Sequence, residues 1–165
     1  MSVQEQATTV EAFVRGVVDR FGFADAATSV RIDEEHIYVD VTGSDLGLLI
    51  GPRGRTLEAL QELTRTVSQR SSEDPGVRVT VDVAGFRARR VAALEAFVRR
   101  LAEEVMANGE AQELEPMSAA DRKVVHDTVN EIEGVESASA GTDPERYVVI
   151  RPAAGVRTAD ETQPA

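Results

Sequence analysis

Apolar residues recur at helical spacing over residues 3–21, where Val10, Phe13, Val14, Val17, Val18 and Phe21 fall on one side. Gly22 breaks that pattern, and period-two alternation replaces it. Val30 and Ile32 alternate with polar residues, Asp33-Glu34-Glu35 reads as a turn, and Ile37, Val39 and Val41 alternate again. Gly43-Ser44 closes this hairpin, with Ser44 expected to cap a short helical turn through Asp45–Ile50. Gly51-Pro52-Arg53-Gly54 interrupts the helical pattern, which resumes to about Gln69 with Leu57, Leu60, Leu63 and Val67 expected on one side. After a turn at Pro75-Gly76, Val77, Val79, Val81 and Val83 give a strand with one face wholly valine. The order is helix, strand, strand, helix, helix, strand. Each strand has one apolar and one polar face, which predicts a three-stranded sheet with helices on one face only.

The pattern then changes. A long helix is predicted over about 86–107, with Leu94, Val98, Leu101 and Val105 as its stripe, Phe97 beside it, and Arg89 and Arg100 opposite. Only Ala84-Gly85 separate it from the valine strand, which predicts a short connection rather than a flexible linker. Asn108-Gly109 stops the helix, a short strand is expected near Gln112–Glu115, and Ser118 with Asp121 reads as a capping box. The helix that follows runs to about Ile132 and ends at Gly134. Residues 135–140 and 146–151 predict a hairpin turned at Thr142-Asp143-Pro144. Residues 153–165 have little to bury and are expected to be a disordered tail.

Composition narrows the function. The 165 residues contain no cysteine, which excludes disulfides, thiol catalysis and thiolate metal sites, and the two histidines, His36 and His126, exclude a multi-histidine centre. Glu34, Glu35 and His36 are adjacent, but at a hairpin turn they read as solvated residues, so no metal and no cofactor is expected. No Ser/His/Asp grouping or phosphate-loop signature is present, and the chain is not expected to be an enzyme. No apolar run is long enough to span a membrane, and none of the signal-peptide layout is seen.

The net charge of −11 is unevenly distributed: residues 1–50 carry −6, residues 51–100 carry +4, and residues 101–165 carry −9. A basic middle between acidic ends reads either as chance clustering on a solvated surface or as a local site for an anionic partner, with acidic flanks that repel phosphate elsewhere. Seventeen of the eighteen basic residues are arginine, a side chain suited to bidentate phosphate contact, although a GC-rich genome gives the same skew.

The Gly51-x-x-Gly54 loop between two helices gives this charge a place. Glycines allow close backbone approach and positive φ. The following helix directs its N-terminal N–H groups and positive dipole end at whatever lies on the loop. Arg53 and Arg55 add charge, so a sugar-phosphate backbone fits. Together with the element order, Ile50-Gly51-Pro52-Arg53-Gly54 resembles a type II KH domain over residues 3–83, whose loop clamps single-stranded nucleic acid. Pro52 departs from the many KH loops with a basic residue there, and it removes one N–H donor.

Arg122 and His126 stand one helical turn apart in Arg-x-x-x-His. A cation and an imidazole at that spacing suit a phosphate and a base, while the alternative is a surface arginine beside a histidine that buttresses the core. With Leu114-Glu115-Pro116-Met117 before the helix and Tyr147–Pro152 after it, residues 84–152 resemble an R-3-H domain, a small α/β module. KH followed by R-3-H is similar to the bacterial Jag, or SpoIIIJ-associated (KhpB), family.

The resemblance implies an α+β protein of the cytoplasm that binds single-stranded RNA. It further implies a post-transcriptional regulator or RNA chaperone linked to cell envelope growth, working with a small KH-only protein partner and without membrane insertion. The implied contacts are Gly51, Pro52, Arg53, Gly54 and Arg55, then Arg122 and His126, with Arg89, Arg90 and Arg151 flanking. The rival reading is a protein-interaction adaptor at the membrane or ribosome with weak RNA affinity. The net charge and Pro52 favour that rival, and the basic middle segment disfavours it.

Overall fold

A computed structural model describes residues 2–71 and 76–155. Pro75 of the expected turn and residues 156–165 of the expected tail lie outside the described residues. The chain divides into two compact units after Ala88, and each is described by itself.

In the first unit, helix α1 (Val3–Phe21) starts at Ser2, whose hydroxyl accepts from the Glu5 N–H while the Glu5 carboxylate accepts from the Ser2 N–H. Strands β1 (Ala27–Asp33) and β2 (His36–Thr42) pair antiparallel, with Val30 opposite Val39 and Ile32 opposite Ile37. The turn is tighter than the sequence suggests: Asp33 stays in the strand, and Glu34 turns the chain at φ +53°. Strand β3 (Arg78–Val83) pairs parallel with β2, placing Val39 beside Val81 and making β2 the centre of the sheet. Val77 lies outside the strand but packs on the same core.

Parallel neighbours cannot be joined by a hairpin and need a crossover. Here it consists of helix α2 (Gly47–Ile50), a 3₁₀ turn (Pro52–Gly54) and helix α3 (Arg55–Arg70). Helix α2 is shorter than expected, and Ser44 does not cap it. Both the Ser44 N–H and hydroxyl donate to the Asp25 carboxylate, holding that carboxyl below its usual range, and no side chain caps α2.

The core lies between helices and one sheet face: Val10, Val14 and Val18 of α1, Leu57 and Leu60 of α3, and the inward valines of β2 and β3 are buried. The expected stripe of α3 is corrected beyond Leu60. Leu63 is 56% exposed, while Thr64 and Ser68 are buried. From Leu57 the offsets 3, 7 and 11 keep one face of a 3.6-residue helix, whereas offset 6 rotates Leu63 away. The Thr64 hydroxyl donates back to Leu60 O at 2.7 Å.

The outer edge of β3 is covered by side chains. Gln61 Nε2 donates to Val79 O at 2.7 Å, and its Oε1 accepts from the Val81 N–H at 2.8 Å, so the amide pairs with the strand as another strand would. Arg87 completes the cover, donating through Nε to Val81 O at 2.9 Å and through Nη2 to Gln61 Oε1 at 3.1 Å.

The face of this sheet away from the core carries the polar positions. In the row Arg31, Tyr38, Thr80, the Arg31 guanidinium lies 4.0 Å from the centroid of the Tyr38 ring. His36, two residues earlier on β2, stacks on Tyr38 with centroids 4.0 Å apart and an interplanar angle of 21°. Its Nε2 lies 2.8 Å from Thr80 Oγ1. Burial and the neighbouring Arg78 push the His36 pKa down, and Arg31 adds to this against an opposing pull from Asp33.

The second unit is built on helix α4 (Phe86–Asn108), of which Leu94, Val98, Ala102 and Val105 are buried. Phe97 is 42% exposed, beside that stripe. Strand β4 (Gln112–Glu113), helix α5 (Ala119–Asn130) and strands β5 (Val135–Ala140) and β6 (Tyr147–Pro152) follow, with β6 central in the antiparallel order β4-β6-β5. Val98, Val105, Val125, Val129, Val148 and Ile150 meet in one apolar cluster. Ser118 caps α5 by accepting from the Asp121 N–H at 3.2 Å, but the Asp121 carboxylate does not complete a capping box; it accepts from Arg90 instead. Ala153 still donates to Gly134 O at 3.0 Å, so backbone pairing continues one residue into the segment expected to be tail.

Two outcomes are expected from this packing. Gln61→Ala leaves the Val81 N–H without its acceptor on a half-buried edge, and should lower unfolding free energy by about 1–3 kcal/mol in urea titration. For His36 the folded state disfavours the charged ring, while the unfolded chain takes up a proton near the ordinary value of 6.5. Its contribution is therefore full above about 6.5 and is lost as pH falls below that toward the depressed folded value. Between pH 7.5 and 5.5 the wild-type chain should lose more stability than His36→Gln.

Candidate nucleic-acid interface

The loop at Gly51–Gly54 owes its shape to two glycines with different obstacles. Gly51 has φ +71°, and a Cβ there would lie 2.1 Å from Thr56 Oγ1 and 2.9 Å from Thr56 N. Gly54 has φ +78°, and a Cβ there would lie 2.5 Å from Cε1 of Phe86. Neither position accommodates a side chain, and both backbone conformations are ones L residues avoid. Between them Pro52 and Arg53 are exposed, and Arg53 itself adopts φ +55°. The Gly54 N–H donates to Gly51 O at 3.2 Å and the Arg55 N–H to Pro52 O, closing the 3₁₀ turn.

Helix α3 begins immediately after, with Gly54 as its N-cap and no capping side chain, so the positive end of its dipole opens on the loop. Arg55, in its first turn, is exposed. Leu48, 68% exposed, places an apolar side chain in α2, one turn before the loop. The result is an exposed bend with two arginines, two positive-φ glycines and a helix N-terminus.

The residues of the second unit are placed differently. Arg122 is buried, 7% exposed, with Nη1 donating to Met117 O at 2.8 Å and to Asp143 Oδ1 at 3.0 Å. It therefore ties α5 to the segment before it and to the β5–β6 turn. His126 lies against β5, with Nδ1 2.7 Å from Ser137 Oγ and Nε2 2.8 Å from Ser139 Oγ. Both ring nitrogens are engaged, so the ring is fixed in orientation while remaining half-exposed. The Arg-x-x-x-His spacing thus puts the arginine into structure and leaves the histidine at the surface.

The three flanking arginines also separate. Arg90 is partly buried and donates through Nε and Nη2 to Asp121 Oδ2, at 3.1 and 2.9 Å. Arg151 pairs at 2.7 Å with Glu136, its cross-strand neighbour on β5. Arg89 is exposed on α4. The carboxylates and serines that hold Arg90, Arg122 and His126 were not legible as partners in the sequence, because each is joined to its partner only by tertiary folding. Thr56 and Phe86 were missed for the same reason. Among the described residues no group of three or more His, Asp or Glu side chains could hold a metal ion, and no helix is long and apolar enough to cross a membrane.

Two family models match the chain. Residues 7–81 match the KH domain of KhpA/KhpB, and residues 92–152 match the R-3-H domain. Several curated proteins are similar along most of the chain, each called RNA-binding protein KhpB. That of Clostridium symbiosum is 34% identical over 139 residues, which is 84% of this chain and 62% of the relative. That of Bacillus subtilis strain 168 is 33% identical over 126 residues, 74% of this chain and 59% of the relative.

This chain belongs to the KhpB family. The protein of Streptococcus pneumoniae serotype 2 strain D39 is 30% identical over 149 residues, covering 90% of this chain and 44% of that protein. The chain spans about half the length of the KhpB relatives it matches. KhpB is a nucleic-acid-binding family and not a family of enzymes.

The two arginines central to the two units should behave oppositely on truncation. Arg122→Ala removes a buried donor from Met117 O and Asp143, and should cost about 1–3 kcal/mol in chemical denaturation. Arg53→Ala, at an exposed turn, should change stability by no more than about 0.5 kcal/mol.

Proposed function

We propose that this chain is a non-enzymatic binder of single-stranded RNA, with the Gly51–Gly54 loop as its principal contact. The observation that carries this reading is the loop: two glycines that admit no side chain hold Pro52, Arg53 and the N-terminus of α3 in one exposed bend. Gly51 and Gly54, packed against Thr56 and Phe86, hold the bend that presents Pro52 and Arg53 to a sugar-phosphate backbone. Arg53 and Arg55 neutralise its phosphates, and the helix dipole adds to their attraction. The KH and R-3-H matches and the relatives' common name support the same ligand.

In the second unit, His126 is the contact group, its ring held by Ser137 and Ser139 for stacking on a base or sugar. Arg122 positions α5 and the β5–β6 turn around it. Arg89, exposed on α4, supplies a flanking charge; Arg90 and Arg151 make ion pairs with Asp121 and Glu136. We take residues 3–83 and 84–152 as the two RNA-binding modules. Their biological setting, in our reading, is post-transcriptional regulation or RNA chaperoning linked to envelope growth, in the cytoplasm, with a small KH-only partner. Crosslinking in cells followed by sequencing of bound RNA tests that setting directly.

Replacing Pro52 and Arg53 by aspartates should leave the circular dichroism spectrum unchanged and abolish most RNA binding, since two anions then face phosphate. Affinity for single strands should exceed that for duplex. It should fall with salt at a log–log slope of about −2 to −4, corresponding to roughly 3–6 neutralised phosphates at about 0.7 each. Equal affinity for duplex RNA, or a flat salt response, contradicts the model.

A further inference from the structure

The open face of the first unit's sheet carries an arrangement that the loop does not use. His36 and Tyr38 sit on β2, the central strand, at alternate positions that share a face. Their rings are stacked 4.0 Å apart, and Arg31 of β1 lies over Tyr38 at 4.0 Å from its centroid. Arg78 of β3 stands beside His36 in the register, and Thr80 beside Tyr38. Three planar groups therefore form one ladder in the middle of an uncovered sheet, with an arginine on each outer strand.

Flat π surfaces in the centre of an open sheet, with cations at its sides, are what an unpaired base and its flanking phosphates require. The next row, Ser29, Asp40 and Asp82, is polar and acidic, and Glu34 and Glu35 are exposed at the turn beyond the ladder, so Arg31 and Arg78 are local cations within an acidic surround. Asp33 is the one carboxylate in the rows of the ladder, and it lies 3.8 Å from Arg31 with 65% of its side chain exposed, too loosely held to cancel both arginines. His36, being kept largely neutral, offers a stacking ring rather than a third charge.

We propose that Arg31, Tyr38 and His36 form a second single-stranded nucleic-acid platform, on the sheet face opposite the helices, where a base extends the ladder and Arg31 and Arg78 meet the phosphates. This rests on the RNA-binding reading of the chain, and adds a contact surface that the glycine loop does not provide.

The test uses the full chain and two labelled oligoadenylates, of 4 and 16 nucleotides, in fluorescence anisotropy titrations. Four nucleotides are enough for a KH loop alone. Tyr38→Ala and, separately, Arg31→Ala should weaken binding of the 16-mer by about five- to hundredfold and leave the 4-mer unchanged. Tyr38→Phe, which keeps the ring, should bind both like wild type. The Pro52, Arg53 double aspartate variant should weaken both oligomers. If that variant loses affinity while Arg31→Ala and Tyr38→Ala bind the 16-mer like wild type, the platform is wrong and the loop stands. If wild type binds neither oligomer, the RNA-binding reading itself fails. Should Tyr38→Ala unfold by circular dichroism, the exposed Arg31→Ala decides the matter alone. If the wild-type chain self-associates by mass and Arg31→Ala does not, with unchanged RNA affinity, the proposal is overturned and the face is a contact between copies of this chain.

Discussion

The absence of side chains at Gly51 and Gly54 is the constraint on which the first unit's candidate site depends. A Cβ at Gly54 would meet the Phe86 ring at 2.5 Å, and one at Gly51 would meet Thr56 Oγ1 at 2.1 Å. The loop is thus pressed against its own following helix at one end and against the start of α4 at the other. Phe86 in turn packs on the apolar cluster between helices and sheet. A bend fixed at both ends holds Pro52 and Arg53 outward. The same crowding offsets the positive φ of +55° at Arg53.

Strand pairing puts that bend where it can be reached. Because β2 and β3 run parallel, the chain leaving β2 must cross over before β3 begins, and α2, the loop and α3 are that crossing. Helix α2 has only four residues, and with Gly43–Leu46 before it the loop follows the carboxyl end of β2 after eight residues. A longer α2 would carry the glycines further from the end of the strand. Gln61 and Arg87 then cover the outer edge of β3, preventing an extra strand from adding beside the crossing.

Element order, the open sheet and the glycine loop were legible because each leaves a local mark: a period of 3.6, a period of two, or Gly-x-x-Gly. Errors fell where local pattern gives way to three-dimensional neighbours. Leu63 looks like a stripe residue by type, but its angular position exposes it, and Thr64 takes its place by bonding its hydroxyl to the backbone. Ser44 is a good cap by type, yet Asp25, nineteen residues earlier, takes both its N–H and its hydroxyl. Arg122 and His126 were legible as a pair, but not as one buried donor and one half-exposed ring. That division is set by Asp143, Ser137 and Ser139, which no spacing rule connects to α5. The Arg31 and Tyr38 stack was hidden for a related reason: alternation marks both as outward-facing, but only strand register makes them neighbours.

The acidic composition looks at odds with a nucleic-acid ligand until the arginines are followed to their partners. In the second unit Arg90, Arg99, Arg122 and Arg151 are paired with Asp121, Glu131, Asp143 and Glu136. The excess of carboxylates there thus supplies the partners that bind helix to helix, helix to turn and strand to strand. Those arginines serve the fold, and adding more of them to the count would not strengthen an anion site. In the first unit Arg53 and Arg55 lie on an exposed bend beside a helix N-terminus, where the backbone contributes positive potential without any added charge. On the proposed reading, what selects the ligand is the placement of a few cations against oriented N–H groups. The remaining negative surface sharpens that selection by making the rest of the chain unattractive to phosphate.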